Sequence, residues 1–286
     1  MPHGFGGSGE PRGLVPATLS SGPFTYRFGA EERTLADYLD SYPVTGLLIA
    51  RQGELWCEEY RYGRTAEMRL QSWSMAKSVT SLLLGICLDR GLIASLDDTA
   101  DAYLPELRGT LHGGSTLRQL SNMSSGVAGV HASINSVCYP SAFESDDASI
   151  AKFVASMNER QELEGARFNY NEICPLTIGM VIRSVTGQTM SAFAEEALWQ
   201  PMGAEADATW QTDSTGAEFN CIGFVSGVAP FASPLRDLTE TAAACTGVPA
   251  ARLGPARSAC GAGRRDSGGP SRRQRGLDLG SDVLAI

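Results

Sequence analysis

Two residues of the stretch SWSMAKSVTSLLLGICLDRGL, 72–92, could do chemistry together: Ser74 and, three positions on, Lys77. Lysine is rare in this chain. Only Lys77 and Lys152 occur among 286 residues, and arginine carries the rest of the positive side-chain charge. A serine is a poor nucleophile until a neighbouring base takes its proton. An amine can be that base where burial disfavours its ammonium form. Positions i and i+3 share a helix face, so Lys77 can reach back to the Ser74 hydroxyl. The helix N-terminus adds a dipole that stabilises negative charge developing near the serine. Serine at a helix start is also an ordinary cap, and Ser-x-x-Lys by itself does not separate the two roles. The setting does more, because a rare charged side chain in an apolar helix needs a partner.

The element holding the pair is predicted from its periodicity. Val79, Leu82, Leu83, Ile86 and Cys87 recur at helical spacing, and Leu84 and Leu88 widen the apolar face, so this helix belongs in a core. Ser72 or Ser74 can cap its start, and Gly91 after Arg90 can stop it. Upstream, TYRFG (25–29) predicts a strand and TLADYLDSY (34–42) a short helix. VTGLLIARQGELWCEEYRYG (44–63) predicts a β-hairpin turning at Gln52-Gly53, with the Ser74 helix as its natural cover. Downstream, TLRQLSNM (116–123), ASIAKFVASMN (148–158), ICPLTIGMVIRSVTG (173–187) and SAFAEEALWQPMG (191–203) predict helices, with stops at Gly187 and Gly203. Strands first, then a helical section over about 111–220, predict an α+β fold.

The ordered run SWSMAKSVTSLLLGICLDRGLIASLDDTADAYLPEL, followed by STLRQLSNMSSGV, resembles the serine β-lactamase-like family. That family includes class C β-lactamases, D-alanyl-D-alanine carboxypeptidases, esterases and 6-aminohexanoate-dimer hydrolases. The resemblance covers about residue 25 to at least 224. It implies a β-lactamase/transpeptidase-like fold, an antiparallel sheet covered by helices plus a helical subdomain. It also implies acyl transfer to water through an acyl-enzyme on Ser74, with Lys77 as base. The substrate would be a small-molecule ester or amide, with no cofactor and no metal.

The family's second motif, a tyrosine two residues before an asparagine at a helix start, is matched by FNYNEICPLTIGMVIRSVTG. Tyr170 would then share a proton with Lys77 and protonate the leaving group; a tyrosine merely packing at a helix start is the alternative. Glu172 stands at the asparagine position and is assigned to substrate binding. An acidic side chain there favours a charged Lys77 and opposes its role as base, unless Glu172 points away. The change argues against penicillin or peptidoglycan and for the esterase and amidase branch. The family's third motif, Lys or His, a variable residue, then Gly, would supply the second backbone N–H of the oxyanion hole. No such motif follows residue 203.

Composition sets the remaining expectations. The net charge of −9 and pI near 4.9 argue against nucleic acid as a partner. Residues 241–286 hold seven arginines against Asp266, Asp278 and Asp282, and no aromatic residue follows Phe231. This Ala-, Gly-, Arg- and Pro-rich tail reads as non-homologous and disordered, as though the C-terminal sheet strands were missing through truncation or a frameshift between about 224 and 250. The domain expected is therefore 25–240, after a flexible leader over 1–24. An inactive remnant or non-catalytic binding protein of the same fold is the alternative to a working hydrolase.

Seven widely spaced cysteines, with no C-x-x-C, predict free buried thiols rather than a zinc site or disulfide framework. No secretory signal and no membrane-length apolar run is visible, so a cytoplasmic setting away from membranes is expected. The composition does not fix the oligomeric state. There is no G-x-S-x-G elbow, and His3, His112 and His131 lack a triad context. His112 and His131 read as solvated loop residues, and Asp97, Asp98 and Asp101 as a solvated face rather than a metal site.

Overall fold

A computed structural model describes residues 3–6, 15–16, 25–51, 54–128, 149–204, 206–226 and 283–285. The chain enters through short strands, β1 (His3–Phe5), β2 (Val15–Pro16), β3 (Thr25–Phe28) and β4 (Glu31–Thr34). The ribbon of β3 and β4 turns at Gly29, whose φ of +64° suits glycine. Thr34 then starts α1 (Leu35–Ser41) with a capping box, its hydroxyl accepting from the Asp37 N–H while the Asp37 carboxylate accepts from its own. The expected hairpin forms from β5 (Gly46–Arg51) and β6 (Glu54–Tyr60), with an irregularity at Ile49/Ala50. β7 (Leu70–Gln71) leads through a 3-10 turn, Trp73–Met75, into α2 (Ala76–Asp89).

The helical part follows as α3 (Leu111–Gly114), α4 (Leu117–Ser121), α5 (Ile150–Ser156), α6 (Ile173–Thr186) and α7 (Met190–Ala194). A π-helical turn, Glu195–Trp199, extends α7. β8 (Ala208–Trp210), β9 (Phe224–Ser226) and β10 (Val283–Ala285) complete the described elements. One sheet has the order β1-β8-β9-β7, antiparallel throughout. A second has the order β10-β5-β6-β2, in which β2 runs parallel to β6.

Periodicity explains the core. α2 buries Ala76, Val79, Thr80, Leu83, Leu84, Ile86 and Cys87, and packs mainly on α6, which is buried along most of its length. Gly91 (φ +70°) and Gly187 (φ +67°) end these two helices in the left-handed setting that the sequence predicts. Aromatic edges close one end of the core, with Trp199 and Trp210 both meeting Phe224 edge-on. Leu47 and Leu48 of the hairpin are buried, but outside this contiguous cluster.

Several local expectations are corrected. The leader is not wholly outside the fold: β1 pairs with β8, and the His3 Nδ1 lies 3.1 Å from the buried Glu218 carboxylate. Within 111–220, Ala208 and Trp210 are buried on either side of half-buried Thr209, a strand alternation that makes β8 rather than helix. The tail supplies β10, which pairs with β5; residues 227–282 and 286, including Cys245 and Cys260, lie outside the described set, as do Cys138 and His131. The start of α2 has no serine side-chain cap. His112 is not solvated but 1% exposed on α3, where burial pulls its imidazole down to about pKa 4. Asp97 does lie on the surface, paired with Arg118 at 2.8 Å. No helix among the described residues is long and apolar enough to cross a membrane.

Candidate active site

Ser74 stands in the 3-10 turn between β7 and α2, one residue after a strained position. Trp73 has a φ of +48°, a left-handed setting that costs a non-glycine residue about 1–3 kcal/mol. Ser72 holds the turn in place. Its N–H donates to the Phe224 carbonyl at 2.9 Å, and its hydroxyl, which a cap would have used otherwise, donates to the same carbonyl at 2.9 Å. The nucleophile candidate is thus pinned to the start of β9, in the central part of the first sheet.

Lys77 follows in the first turn of α2 and reaches back as the spacing predicts. Its Nζ donates to Ser74 Oγ at 3.1 Å and to the Cys221 carbonyl at 2.9 Å. The Tyr170 ring centroid lies 4.9 Å from Nζ, within cation–π range. Glu172 does not point away: its Oε1 is 3.9 Å from Nζ, and the two side chains are only 9% (Lys77) and 11% (Glu172) exposed. A carboxylate at that distance is a direct counter-charge to an ammonium. Ser74, Lys77, Tyr170 and Glu172 are therefore all brought together, from two helix starts about a hundred residues apart in sequence.

The segment before α6 is shaped by Asn171. Its Oδ1 accepts from the Cys174 N–H at 2.9 Å and its Nδ2 donates to the Asn169 carbonyl at 2.8 Å, so a buried amide does the work of the cap. Cys174 lies behind it, 3.5 Å from the Ser125 hydroxyl, in the MSSGV segment. Burial pushes the Cys174 thiol up, partly offset by Ser125 and Asn171. Phe168 extends the aromatic wall outward, its ring centroid 6.3 Å from that of Tyr170. Exposed Trp73 and Met75 flank the serine.

Sequence reasoning missed the third side of the site, the segment Glu218–Phe224. It contributes the Cys221 carbonyl to Lys77 and the Phe224 carbonyl to Ser72. A carbonyl acceptor leaves no mark on residue type, so nothing in the sequence singled it out. Among the described residues, no group of three or more His, Cys, Asp or Glu side chains is placed to hold a metal ion. The arrangement can place an amine against a serine hydroxyl, with an aromatic hydroxyl-bearing residue and a carboxylate beside it.

The sequence profile of the Beta-lactamase family matches residues 32–218. The 6-aminohexanoate-dimer hydrolase of Paenarthrobacter ureafaciens is 24% identical over 195 residues, which are 65% of this chain and 49% of that protein. The chain thus spans about half the length of this curated relative. A protein of Bacillus anthracis assigned as a 6-aminohexanoate-dimer hydrolase superposes with a TM-score of 0.72 at 22% identity, over 84% of this chain and 66% of that one. The D-alanine carboxypeptidase AmpC of Burkholderia cenocepacia superposes with a TM-score of 0.54 at 17% identity, over 70% and 60% of the respective chains. The fold is of the β-lactamase/transpeptidase type, and the chain belongs to the Beta-lactamase family.

Proposed function

We propose that this chain is a serine hydrolase that cleaves a small-molecule ester or amide through an acyl-enzyme on Ser74. The observation that carries the reading is the 3.1 Å contact between Lys77 Nζ and Ser74 Oγ, with the Tyr170 ring beside that amine. In the first step the Ser74 hydroxyl attacks the substrate carbonyl and passes its proton to Lys77. Tyr170 then delivers a proton to the departing alcohol or amine. Water enters next, and the same groups return Ser74 to its free form. Glu172, beside Lys77, meets the polar part of the substrate. Peptide-sized and macromolecular substrates are not required by this reading.

A second reading, a non-catalytic protein of the same fold, draws on Glu172, whose carboxylate stands 3.9 Å from Lys77 Nζ and competes with Ser74 for that group. Covalent labelling of the purified chain with a fluorophosphonate, followed by peptide mapping, separates the two. The hydrolase reading expects label on Ser74 that is lost in Ser74→Ala and falls by at least about a hundredfold in rate in Lys77→Ala. Folded protein that takes no label sinks it in favour of the second.

A further inference from the structure

Lys77 is held on one side by a backbone carbonyl, and the residue before that carbonyl is a buried amide that anchors the loop between two helices. Asn220 is 1% exposed and lies between the two long helices of the core. Its Nδ2 donates to the Pro175 carbonyl in α6 and, at 3.3 Å, to Thr80 Oγ1 in α2. The Thr80 hydroxyl in turn lies 2.9 Å from the Asn220 carbonyl and 3.1 Å from the Ala76 carbonyl, and shares its proton between them. Residue 179 must be glycine for the amide to fit. A Cβ there would stand 2.6 Å from Asn220 Oδ1, 2.7 Å from Cγ and 2.9 Å from Nδ2. The next residue along the chain is Cys221, whose carbonyl accepts from Lys77 Nζ at 2.9 Å.

The chemistry gives this anchor a consequence. A neutral amine has two N–H bonds and one lone pair. With one N–H directed at the Cys221 carbonyl, rotation about Cε–Nζ is fixed, and the lone pair can be turned to the Ser74 hydroxyl 3.1 Å away. Without that acceptor the amine samples orientations that do not face the serine. We infer that Asn220, with Thr80 and Gly179, is a positioning residue that sets the reactivity of Ser74 through the Cys221 carbonyl and Lys77. The inference rests on the acyl-enzyme reading above, and adds to it a control element behind Lys77, between α2 and α6.

The test is the kinetics of fluorophosphonate labelling in the full chain. In that reaction the Ser74 Oγ–P bond forms as P–F breaks, fluoride leaves with the bonding pair, and the hydroxyl proton passes to Lys77. The maximal labelling rate and the half-saturating probe concentration are measured separately, beside the melting temperature. Asn220→Ala is expected to lower the maximal rate about tenfold or more, the loss of roughly one oriented hydrogen bond, with half-saturation unchanged. Thr80→Val should lower it less. Gly179→Ala should lower both the rate and the melting temperature. In the double variant Gly179→Ala/Asn220→Ala the clash disappears, so the melting temperature should recover relative to Gly179→Ala while the rate stays at the level of Asn220→Ala. A purely structural role predicts that rate and stability recover together, and that outcome overturns the inference. Wild-type rates in Asn220→Ala and Thr80→Val, with label on Ser74, overturn it as well. Should Asn220→Ala fail to fold, Thr80→Val carries the decision: a lowered rate at unchanged half-saturation supports the inference, and a wild-type rate overturns it. An unlabelled wild-type protein refutes the acyl-enzyme reading itself, a result distinct from either of these.

Discussion

His112 makes the chain sensitive to mild acid, and the size of the effect follows from its burial. The ring is 1% exposed on the one-turn helix α3, and neither ring nitrogen has a well-formed hydrogen bond. Burial lowers its pKa from 6.5 to about 4, and a weak backbone contact with Met157 offsets only part of that. Because the native value is depressed, the neutral ring's contribution is fully present above pH 6.5 and is lost as the pH falls toward 4. The interval between those values, at roughly 1.4 kcal/mol per pH unit, amounts to about 3 kcal/mol, of which about 2 kcal/mol is lost between pH 7 and pH 5. The perturbation is His112→Leu, an apolar side chain that has no charge to acquire. Urea unfolding of both proteins at pH 7, 5 and 4 gives the comparison. Taking a slope of about 3 kcal/mol per molar urea, the wild-type midpoint should fall about 0.7 M further than that of His112→Leu between pH 7 and 5. Other acid-sensitive groups are common to both proteins and cancel in the difference. Parallel acid profiles for the two would refute the reasoning, since they would mean that the ring takes up its proton without penalty.

Two further outcomes follow from buried groups away from the site. Glu218 is a buried carboxylate whose desolvation is outweighed by His3, the Ser191 N–H and Arg183, so its pKa lies below the usual range. Glu218→Gln should cost about 3 kcal/mol, or roughly 6 °C in Tm, and should make the chain N-terminal to β3 easier to cleave by protease; an unchanged Tm would show that the ion cluster contributes nothing net. Burial raises the Cys87 thiol to about 12, with Arg90 offsetting part of it, so about one molecule in ten thousand carries the thiolate at pH 8. Iodoacetamide at pH 8 should therefore leave Cys87 and Cys174 unmodified in native protein and alkylate both in urea, and rapid alkylation of the native form would contradict their burial.

What could be read from the sequence was whatever carries its own period or its own end signal. α2 and α6 repeat apolar residues at helical spacing and stop at Gly91 and Gly187, so their extent is local information. The hairpin of β5 and β6 has the same property, and Ser74, Lys77, Tyr170 and Glu172 were singled out through motif order; from Lys77 Nζ the distances are 3.1 Å to Ser74 Oγ, 4.9 Å to the Tyr170 ring centroid and 3.9 Å to Glu172 Oε1. His112 was misread because LHGG looks like a turn. Its burial comes from elsewhere: the end of α5 closes over α3, where the Asn158 side chain accepts from the Leu111 N–H at 2.7 Å. β1 was misread for the same reason, since it is held by pairing with β8 and by the contact between His3 and Glu218, 215 residues apart.

The segment Glu218–Phe224 shows the physical limit most clearly. Through Phe224 it fixes Ser72, through Asn220 it fixes Thr80, and through Cys221 it fixes Lys77, all across a sequence separation of 140 residues or more. All three of these acceptors are backbone carbonyls, of Asn220, Cys221 and Phe224, and any residue would present the same group there. The Asn220 side chain is a different case, because a short amide fits against Gly179 while reaching Pro175 and Thr80 together. A tight glycine in α6 and an asparagine forty-one positions later therefore form one structural statement. Substitution at either should be felt at the serine, although neither touches it.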